Sequence, residues 1–229
     1  MPKFGLMNKI ITTADGSNTL FNETIGEHYH STHGALQESE HVFIDAGLKH
    51  AIANFPGQQI SIFEVGFGTG LNFLLTLAHC KANDIELNYT GVEAFPIAKE
   101  ELILTDYSKY VSSEVWNALF DNYESAQEAE VDLFPNQKLR VLKNTFQEVI
   151  PSATHHLMYY DAFSVRHQAE MWTDEMIAHA ANFLLPGGIF VTYAITGKLK
   201  RALKGLGFTI EKLTGAAGKR EMLRATKAN

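Results

Sequence analysis

Apolar positions along the chain follow two repeating patterns, which predict strands alternating with helices. Short continuous apolar runs bounded by turn residues, such as 60–65, are typical of strands buried on both faces of a parallel sheet. Apolar residues three and four positions apart, as in 71–77, predict helices. The predicted strands of the main sheet are 60–65, 87–93, 139–143, 156–161, 189–193, 208–213 and 220–226, and the predicted helices are 71–77, most of the segment to 131, a helix from Asp174 that ends at 184–188, and 199–206.

This order of elements predicts an α/β fold with a mostly parallel seven-stranded sheet that ends in an antiparallel C-terminal hairpin. Residues 9–22 predict a separate β-hairpin that turns at Asp15-Gly16, and residues 36–48 predict a helix. The sequence contains no repeat or linker. We therefore expect one domain over 1–229, in which 1–55 form an N-terminal hairpin and helix extension and 56–229 form a Rossmann-like core.

The strand at 60–65 runs directly into three alternate glycines, Gly66, Gly68 and Gly70, and then into a helical pattern. Glycines in this arrangement let the chain turn sharply and bring bare backbone against a ligand. Leu71-Asn72 follows the last glycine, so the Gly-Lys-Ser/Thr of a nucleoside-triphosphate loop is absent. The dinucleotide pattern G-x-G-x-x-G also fails, which leaves NAD and FAD as runner-up ligands.

Glu64 completes the pattern acid-x-Gly-x-Gly-x-Gly, which resembles motif I of the class I methyltransferases. In that motif the glycines contact the amino-acid and ribose parts of S-adenosylmethionine, so the resemblance implies this cosubstrate. A second acid, Glu93, ends the next predicted strand, and its carboxylate can accept hydrogen bonds from both ribose hydroxyls. The alternatives are a purely structural Gly-rich turn and a solvated glutamate.

Asp161 ends the predicted strand 156–161, at the sheet edge where doubly wound folds bind their ligands. We expect its side chain in the crevice, near the reactive end of the cosubstrate. A fixed carboxylate can align the N–H groups of an amine and stabilise the positive charge that grows on nitrogen during methyl transfer. Whether Asp161 also accepts the proton stays open, and an aspartate that only caps a turn is the structural alternative.

Composition limits the class of protein. The chain has 229 residues, 45% of them hydrophobic, which is ample for one packed core. Its one cysteine, Cys80, excludes an internal disulfide and favours a reducing, cytoplasmic setting. No apolar run approaches the ~20 residues of a membrane span, and the N-terminus lacks a secretory pattern, so we expect no membrane association.

The net charge of −7 is distributed unevenly along the chain. From Lys198 to Asn229 nine basic residues oppose only Glu211 and Glu221. Such asymmetry is typical of a surface that faces a polyanion. The alternative is that Lys198 to Lys204 are the solvated face of an amphipathic helix.

Histidines cluster at His28, His30, His33 and His41, which raises the question of a metal. No cysteine or spaced pair of carboxylates completes a ligand set, so we expect no metal. We interpret this segment as a lid over the substrate pocket, lined by Tyr29 and His30. Further along the chain, Trp172 has two interpretations, stacking on a base or burial in the core.

Several blocks of sequence together resemble one family, the methyltransferase domain of the tRNA-modifying MnmC proteins, which also occurs alone as MnmD. The matching blocks are spread from about residue 12 to residue 223. They are Thr13-Ala-Asp-Gly-Ser-Asn-Thr-Leu20, Glu27-His-Tyr-His-Ser31, Gly34-Ala-Leu-Gln-Glu-Ser39, Val42-Phe-Ile-Asp-Ala-Gly-Leu48, Gly66-Phe-Gly-Thr-Gly-Leu-Asn72, Tyr160-Asp-Ala-Phe-Ser164, Glu170-Met-Trp-Thr173, Leu185-Pro-Gly-Gly188 and Lys219-Arg-Glu-Met-Leu223. The implied fold is the class I S-adenosylmethionine-dependent methyltransferase fold.

The resemblance implies methylation of the amine of 5-aminomethyl-(2-thio)uridine at the tRNA wobble position, giving 5-methylaminomethyl-(2-thio)uridine, with S-adenosylmethionine as donor and tRNA as partner. Asp161 takes the catalytic role. The expected cosubstrate contacts are Glu64, Gly66, Phe67, Gly68, Thr69, Gly70, Asn72, Glu93, Asn144 and Asp161, and the expected substrate contacts are Tyr29, His30, Phe163, Ser164, Trp172, Lys219 and Arg220.

Relatives that carry two activities also contain a flavin oxidase, for which 229 residues leave no room. We therefore expect no FAD, and an aminomethyl substrate supplied by a separate oxidase or amine-forming enzyme. Val165 and Gln168-Ala169 depart from the prolines common in the family. Relatives often have an acid near position 144 that faces the adenine; here Asn144 can still meet the adenine amino group through its carbonyl. Two alternatives stay open: a methyltransferase for a small molecule or protein, and a non-catalytic subunit that binds cosubstrate or tRNA.

Overall fold

A computed structural model describes residues 8–229, and an eight-stranded sheet forms its centre. The strands of this sheet are β4 (Ile60–Val65), β5 (Leu87–Val92), β6 (Val131–Phe134), β7 (Gln137–Leu142), β8 (His155–Tyr160), β9 (Leu184–Thr192), β10 (Phe208–Thr214) and β11 (Glu221–Lys227). Their order is β10-β11-β9-β8-β4-β5-β7-β6. The five middle strands from β9 to β7 are parallel, and the edges are antiparallel.

The middle strands are continuous apolar runs in the sequence because apolar side chains pack on both faces of the sheet. In β4, Ile62 belongs to the cluster of apolar side chains on one face of the sheet, and Phe63 belongs to the cluster on the other. Successive side chains of a strand point to opposite faces, so a strand that is covered on both faces needs apolar residues at both. The fold class predicted from the sequence is confirmed.

Helices cover both faces of the sheet. They are α1 (Ala35–Glu38), α2 (Lys49–Asn54), α3 (Leu71–Ala82), α4 (Lys99–Thr105), α5 (Ser113–Glu128), α6 (Asp174–Ala181) and α7 (Gly197–Gly205), with 3₁₀ turns at Tyr107–Lys109, Phe146–Glu148 and Ala169–Trp172. A π-helical segment, Ser39–Leu48, joins α1 to α2, so the helix predicted over 36–48 extends to Asn54. Within it Gly47 lies against the sheet, where a Cβ would stand 3.0 Å from Val191.

The N-terminal residues form a second, three-stranded sheet of β1 (Asn8–Thr12), β2 (Asn18–Asn22) and β3 (Glu27–His28). The predicted hairpin is present, with β1 antiparallel to β2. Asp15 fixes its turn, because Oδ1 accepts hydrogen bonds from the backbone N–H of Ser17 and from the Thr13 hydroxyl. Gly16 occupies the left-handed region, with φ of 83°.

Two expectations from the sequence were wrong. The segment up to 131 was predicted to be mostly helical, but Val131–Phe134 forms β6, which pairs with β7 and gives the sheet eight strands instead of seven. Residues 184–188 do not end a helix, since α6 ends at Ala181 and β9 begins at Leu184. The register of β9 against β8 shifts there, so Pro186 and its neighbouring glycines bulge from the strand.

Within residues 8–229, no helix combines the length and apolar character that a membrane crossing requires.

Candidate active site

The main cavity of the protein opens at the carboxyl ends of β4, β5 and β8, and its volume is about 540 Å³. The chain runs from β4 outward to β5 and β7, then crosses back to β8 on the other side of β4. Such a reversal leaves a crevice between strand ends, and this is where open α/β sheets bind ligands. The glycine loop follows β4, Glu93 follows β5 and Asp161 follows β8, so the fold brings these three predicted elements together.

The glycine loop has the backbone geometry that its sequence predicts. Gly66, Gly68 and Gly70 have φ values of 85°, 52° and 73°, all in the left-handed region. A Cβ on Gly66 would lie 2.6 Å from the carbonyl oxygen of Asp161, and a Cβ on Gly68 would lie 2.9 Å from the Tyr29 ring. Side chains at these positions would therefore both strain the backbone and push into the cavity wall.

Glu93 lies on the cavity wall with both carboxylate oxygens facing backbone donors. Oε2 accepts a hydrogen bond from the N–H of Gly68 at 3.0 Å, and Oε1 accepts one from the N–H of Phe95 at 3.0 Å. Burial raises the pKa of Glu93, and the backbone hydrogen bonds lower it in part. The carboxylate thus stands at the end of β5 with acceptor capacity left for the hydroxyls of a ribose.

Asp161 faces the same cavity from the end of β8. Its backbone N–H donates to the carbonyl of Val65 at 2.9 Å, which fixes the residue beside the start of the glycine loop. Its Oδ2 accepts a hydrogen bond from Nδ2 of Asn72 at 2.8 Å. Burial raises the pKa of Asp161 to about 8, and the negative charge of Glu38 also raises it. A cation in the cavity would favour the ionised carboxylate.

The N-terminal extension adds two further carboxylates to the cavity. Glu27 accepts a hydrogen bond from the N–H of Ser164 at 2.8 Å, which ties β3 to the segment after Asp161. Glu38 is 5% exposed, accepts the N–H of Ser31 at 2.8 Å and forms an ion pair with Lys219. Three acids therefore face one cation in this part of the cavity.

Lys219 reaches the cavity from the turn between β10 and β11. Its ammonium group lies 3.8 Å from the centre of the Tyr193 ring while it pairs with Glu38. The hydroxyl of Tyr193 donates to the carbonyl of Ala162 at 2.9 Å. These contacts join the C-terminal hairpin to the segment that carries Asp161.

His30 is buried and bonded to the glycine loop. Its Nε2 lies 2.9 Å from the hydroxyl of Thr69, which in turn lies 3.2 Å from the hydroxyl of Tyr107. Burial lowers the pKa of His30 to about 4, so the imidazole is neutral near pH 7. Nowhere in the described part of the chain do three His, Cys, Asp or Glu side chains gather as metal ligands.

Most of the residues predicted from the sequence line the cavity. They are Tyr29, His30, Gly66, Phe67, Gly68, Thr69, Glu93, Asn144, Asp161, Phe163, Ser164 and Lys219. The aromatic rings of Tyr29 and Phe163 meet edge to face, with centroids 5.3 Å apart. Gln168, which departs from the family pattern noted above, also lies on the wall.

Five predicted contact residues do not line this cavity: Glu64, Gly70, Asn72, Trp172 and Arg220. Glu64 is completely buried beneath the loop, and Gly70 is the N-cap residue of α3. Trp172 packs in the core, where its indole N–H donates to the carbonyl of Phe163 at 2.8 Å. Arg220 is exposed, whereas Lys219 beside it turns inward.

Sequence reasoning missed several residues of the wall, chiefly Glu27, Glu38, Phe95 and Tyr193. Both glutamates stand in blocks that resemble the family, yet isolated acids in a hairpin and a helix are usually solvated. The available signal for Glu38 was its position among apolar residues of a helix that packs on the sheet. Phe95 is 72% exposed although it lines the cavity, so an aromatic face is open at the rim.

The strand order, the reversal at β4 and the cavity under a glycine loop are those of the class I S-adenosylmethionine-dependent methyltransferase fold. The chain belongs to the S-adenosyl-L-methionine-dependent methyltransferase family whose model matches residues 110–228.

Among proteins of similar sequence are MnmC proteins of two bacteria. The chain is 30% identical to the tRNA 5-methylaminomethyl-2-thiouridine biosynthesis bifunctional protein MnmC of Burkholderia mallei, over 90% of this chain and 33% of that protein. It is 30% identical over the same shares to MnmC of Burkholderia pseudomallei. The chain thus spans about a third of the length of these curated relatives.

Solved structures agree with this assignment. The crystal structure of MNMC2 from Aquifex aeolicus matches with a TM-score of 0.74 and 25% identity, covering 99% of this chain and 73% of that one. Magnesium protoporphyrin IX methyltransferase from Synechocystis, solved with bound S-adenosylmethionine, matches with a TM-score of 0.50 and 12% identity over 81% of this chain and 78% of that one, which shows the fold alone. The resemblance to an MnmD-type methyltransferase domain is confirmed.

Proposed function

We propose that this protein methylates the amine of 5-aminomethyl-(2-thio)uridine at the wobble position of tRNA, giving the 5-methylaminomethyl product. The observation that carries the proposal is Asp161, a carboxylate fixed between β8 and the glycine loop and facing the main cavity. The sequence relatives, whose name describes tRNA 5-methylaminomethyl-2-thiouridine biosynthesis, support the choice of substrate.

The cavity wall fits the methyl donor of the family. Gly66 and Gly68 give the close backbone approach that a nucleoside needs, and Glu93 gives an acceptor for its ribose hydroxyls. When bound, S-adenosylmethionine supplies a methyl group attached to a positively charged sulfur. Asn144 also lines the cavity, and its side-chain oxygen accepts the N–H of Thr145 at 2.8 Å. We propose that Asn144 faces the base of the nucleoside.

Asp161 suits an amine substrate for two reasons. Its carboxylate can accept the N–H groups of the amine and so hold the nitrogen lone pair in one direction. It also opposes the positive charge that grows on nitrogen as the new bond forms. With a pKa raised to about 8, the carboxylate lies near the range in which a group can accept a proton from an ammonium ion.

The acidic side chains around Asp161 also favour a positively charged substrate. Glu27, Glu38 and Asp161 face Lys219, so the fully ionised cluster carries a net negative charge in a largely buried setting. A positively charged amine would be attracted there, while a carboxylate on the substrate would be repelled. The cavity thus favours a substrate with a free amine over a substrate that also carries a carboxylate.

The basic residues of the C-terminal part divide into two groups. Lys219, Arg224 and Lys227 are used inside the protein, by Glu38, by Glu211 and by the carbonyls of Ala181 and Leu184. Six others, counted over residues 8–229, have no ion-pair partner: Lys198, Lys200, Arg201, Lys204, Lys212 and Arg220. Most of them are exposed on α7 and the C-terminal hairpin, and they form the surface proposed to meet tRNA phosphates.

The direct test is incubation with S-adenosylmethionine and tRNA from cells that lack the final methyl group, followed by mass analysis of the nucleosides. We expect one added methyl on 5-aminomethyluridine. The isosteric Asp161→Asn variant should lose about 10²- to 10⁴-fold in rate while it still binds S-adenosylhomocysteine. If Asp161→Asn lost the methyl-transfer rate and S-adenosylhomocysteine binding equally, Asp161 would have no specific role in the methyl transfer. If the wild type transferred no methyl group to tRNA, the proposal would be contradicted.

A second test separates tRNA from a small substrate. Reversing the charge of Lys200, Arg201 and Arg220 together should raise the KM for tRNA and weaken its salt dependence, with little change for a free aminomethyl nucleoside. The matched control reverses Lys9, Lys49 and Lys109, which are exposed, lie outside this surface and change the net charge by the same amount. Equal effects from both sets would count against a docking surface at the C-terminal part.

A further inference from the structure

A row of buried polar side chains runs from the core to Asp161 beneath the glycine loop. The hydroxyl of Tyr89 donates to Oε2 of Glu64 at 2.8 Å. Nδ2 of Asn72 donates to Oε1 of Glu64 at 2.9 Å and to Oδ2 of Asp161 at 2.8 Å. One amide group therefore bridges two carboxyl groups, one from β4 and one from the residue after β8.

The bridging amide of Asn72 lies behind the cavity wall, and one of its own polar atoms has no partner among the described residues. Glu64 and Tyr89 are fully buried and Asn72 is 2% exposed, yet none of them lines the cavity. The carbonyl oxygen of Asn72 is buried without a hydrogen-bond partner among the described residues. An unpaired buried acceptor costs free energy, so this amide is held with both hydrogens toward the carboxyl groups at the expense of its own oxygen.

We propose that Glu64 and Asn72 are positioning residues that act through Asp161: Asn72 fixes Oδ2 of Asp161, and Glu64 fixes Asn72, which leaves Oδ1 of Asp161 for the substrate amine. This role replaces the direct cosubstrate contact expected from the sequence, and it rests on the proposed function of Asp161 in methyl transfer. Among the described residues, the bond from Asn72 is the one side-chain hydrogen bond that Asp161 receives.

The chemistry of Glu64 suits this role. Its burial raises its pKa well above the usual value, and the charge of Asp161 raises it further. A neutral carboxyl group still offers its carbonyl oxygen to Asn72 and can share its proton with the hydroxyl of Tyr89, but it places no second negative charge beside Asp161. The donor from Asn72 then favours the ionised form of Asp161 alone.

The main experiment compares Asn72→Leu with Thr76→Val. Thr76 lies one turn further along α3, is fully buried and pairs with the hydroxyl of Tyr159 at 3.1 Å, without any link to Asp161. We expect Asn72→Leu to lower kcat by about tenfold or more and to move the acidic limb of the kcat/KM profile to higher pH by about one unit. Thr76→Val should lower the melting temperature and leave the profile in place.

Two measurements do not depend on turnover. The carboxyl carbon of Asp161, followed by ¹³C NMR in the ligand-free protein, should titrate at higher pH in Asn72→Leu than in the wild type and in Thr76→Val. Affinity for S-adenosylhomocysteine should change by less than about threefold, because Asn72 lies off the cavity wall. If Asn72→Leu does not fold, Asn72→Ala removes the same donor without the added bulk of leucine.

A second pair of variants tests Glu64. Glu64→Leu removes both acceptors and should shift the Asp161 titration in the same direction as Asn72→Leu. Glu64→Gln keeps an acceptor of the same shape, and we expect it to recover most of the activity that Glu64→Leu loses.

The outcomes separate this inference from the proposed function. If the wild type methylates the tRNA but Asn72→Leu behaves like Thr76→Val in the profile and in the NMR titration, the positioning role is overturned and the function stands. If the wild type transfers nothing to the tRNA, the function fails while the NMR titration still decides whether Asn72 controls Asp161. A loss of S-adenosylhomocysteine binding in Asn72→Leu would instead return Asn72 to direct cosubstrate contact.

Discussion

The two sides of the cavity are built in different ways. One side consists of neighbours in sequence: the end of β4 and the glycine loop, with Glu93 at the end of the adjacent strand. The other side gathers Glu27 and Glu38 from the N-terminal extension and Lys219 from the C-terminal hairpin, and a few side-chain contacts hold them there. The first side depends on local backbone geometry, and the second depends on buried charges that must find each other.

This difference predicts how each side fails. Changes in the loop should act through sterics and remove ligand binding as a whole. Changes in the acid cluster should act through charge, and they should alter the handling of the amine and the pH dependence while the nucleoside site survives.

The largest effect should come from Gly66→Ala. The new Cβ would lie 2.6 Å from the backbone oxygen of Asp161 at a φ of 85°, and we expect a loss of about 2 kcal/mol or more in the free energy of unfolding and about 100-fold in affinity for S-adenosylhomocysteine. Urea denaturation and calorimetry measure both. The matched control is Gly16→Ala, whose φ is 83° but whose Cβ would have no neighbour within 4 Å. Equal effects in the two variants would show that backbone strain alone, and not contact with Asp161, explains the result.

A smaller effect is expected from Glu38→Gln. This change leaves Lys219 without its ion-pair partner and removes one negative charge near Asp161. We expect kcat/KM for the amine to fall by about 10-fold or more, with unchanged affinity for S-adenosylhomocysteine. The control Glu211→Gln breaks the pair with Arg224 in the C-terminal hairpin, away from the cavity. We expect the control to lower only the stability of the protein. If Glu38→Gln also lowers stability but leaves kcat/KM unchanged, Glu38 has no role in binding the amine.

The smallest effect is a pH dependence of cosubstrate binding. Because the pKa of Asp161 is raised to about 8, binding of a positively charged sulfur should favour loss of its proton. Affinity for S-adenosylmethionine should therefore rise by about tenfold between about pH 7 and pH 9, as the carboxyl ionises. S-adenosylhomocysteine, with a neutral sulfur and the same amino-acid group, is the control. Parallel curves for the two ligands would place the titrating group elsewhere.

The same pKa has a consequence for stability. A carboxyl whose pKa is higher in the folded protein makes its stabilising contribution below its ordinary value of 3.8 and loses it as the pH rises through about 8. Asp161→Asn should remove this loss, so the variant should gain stability relative to the wild type above neutral pH. This comparison needs chemical denaturation at several pH values.

Local sequence was enough to locate the loop, Glu93 and Asp161, because each follows an apolar strand and strand ends meet at one edge of the sheet. It was not enough for β6, whose four residues lie between a long helix and a strong strand and carry little pattern of their own. It did not show that Glu64 and Asn72 are buried off the cavity wall, since a residue inside a motif can face either the cavity or the core. Lys219 and Arg220 show the same limit, because adjacent residues of a turn point in opposite directions.

The sequence by itself determined the class of fold, the glycine loop and the strand-end carboxylates, since these follow from periodicity and from the freedom of glycine over a few consecutive residues. Only the tertiary structure decided that Glu27, Glu38 and Lys219 share a cavity with Asp161, and that Glu64 and Asn72 support this aspartate from below. The physical reason is that burial, charge and hydrogen-bond partners depend on which distant residues meet, and no local pattern specifies them.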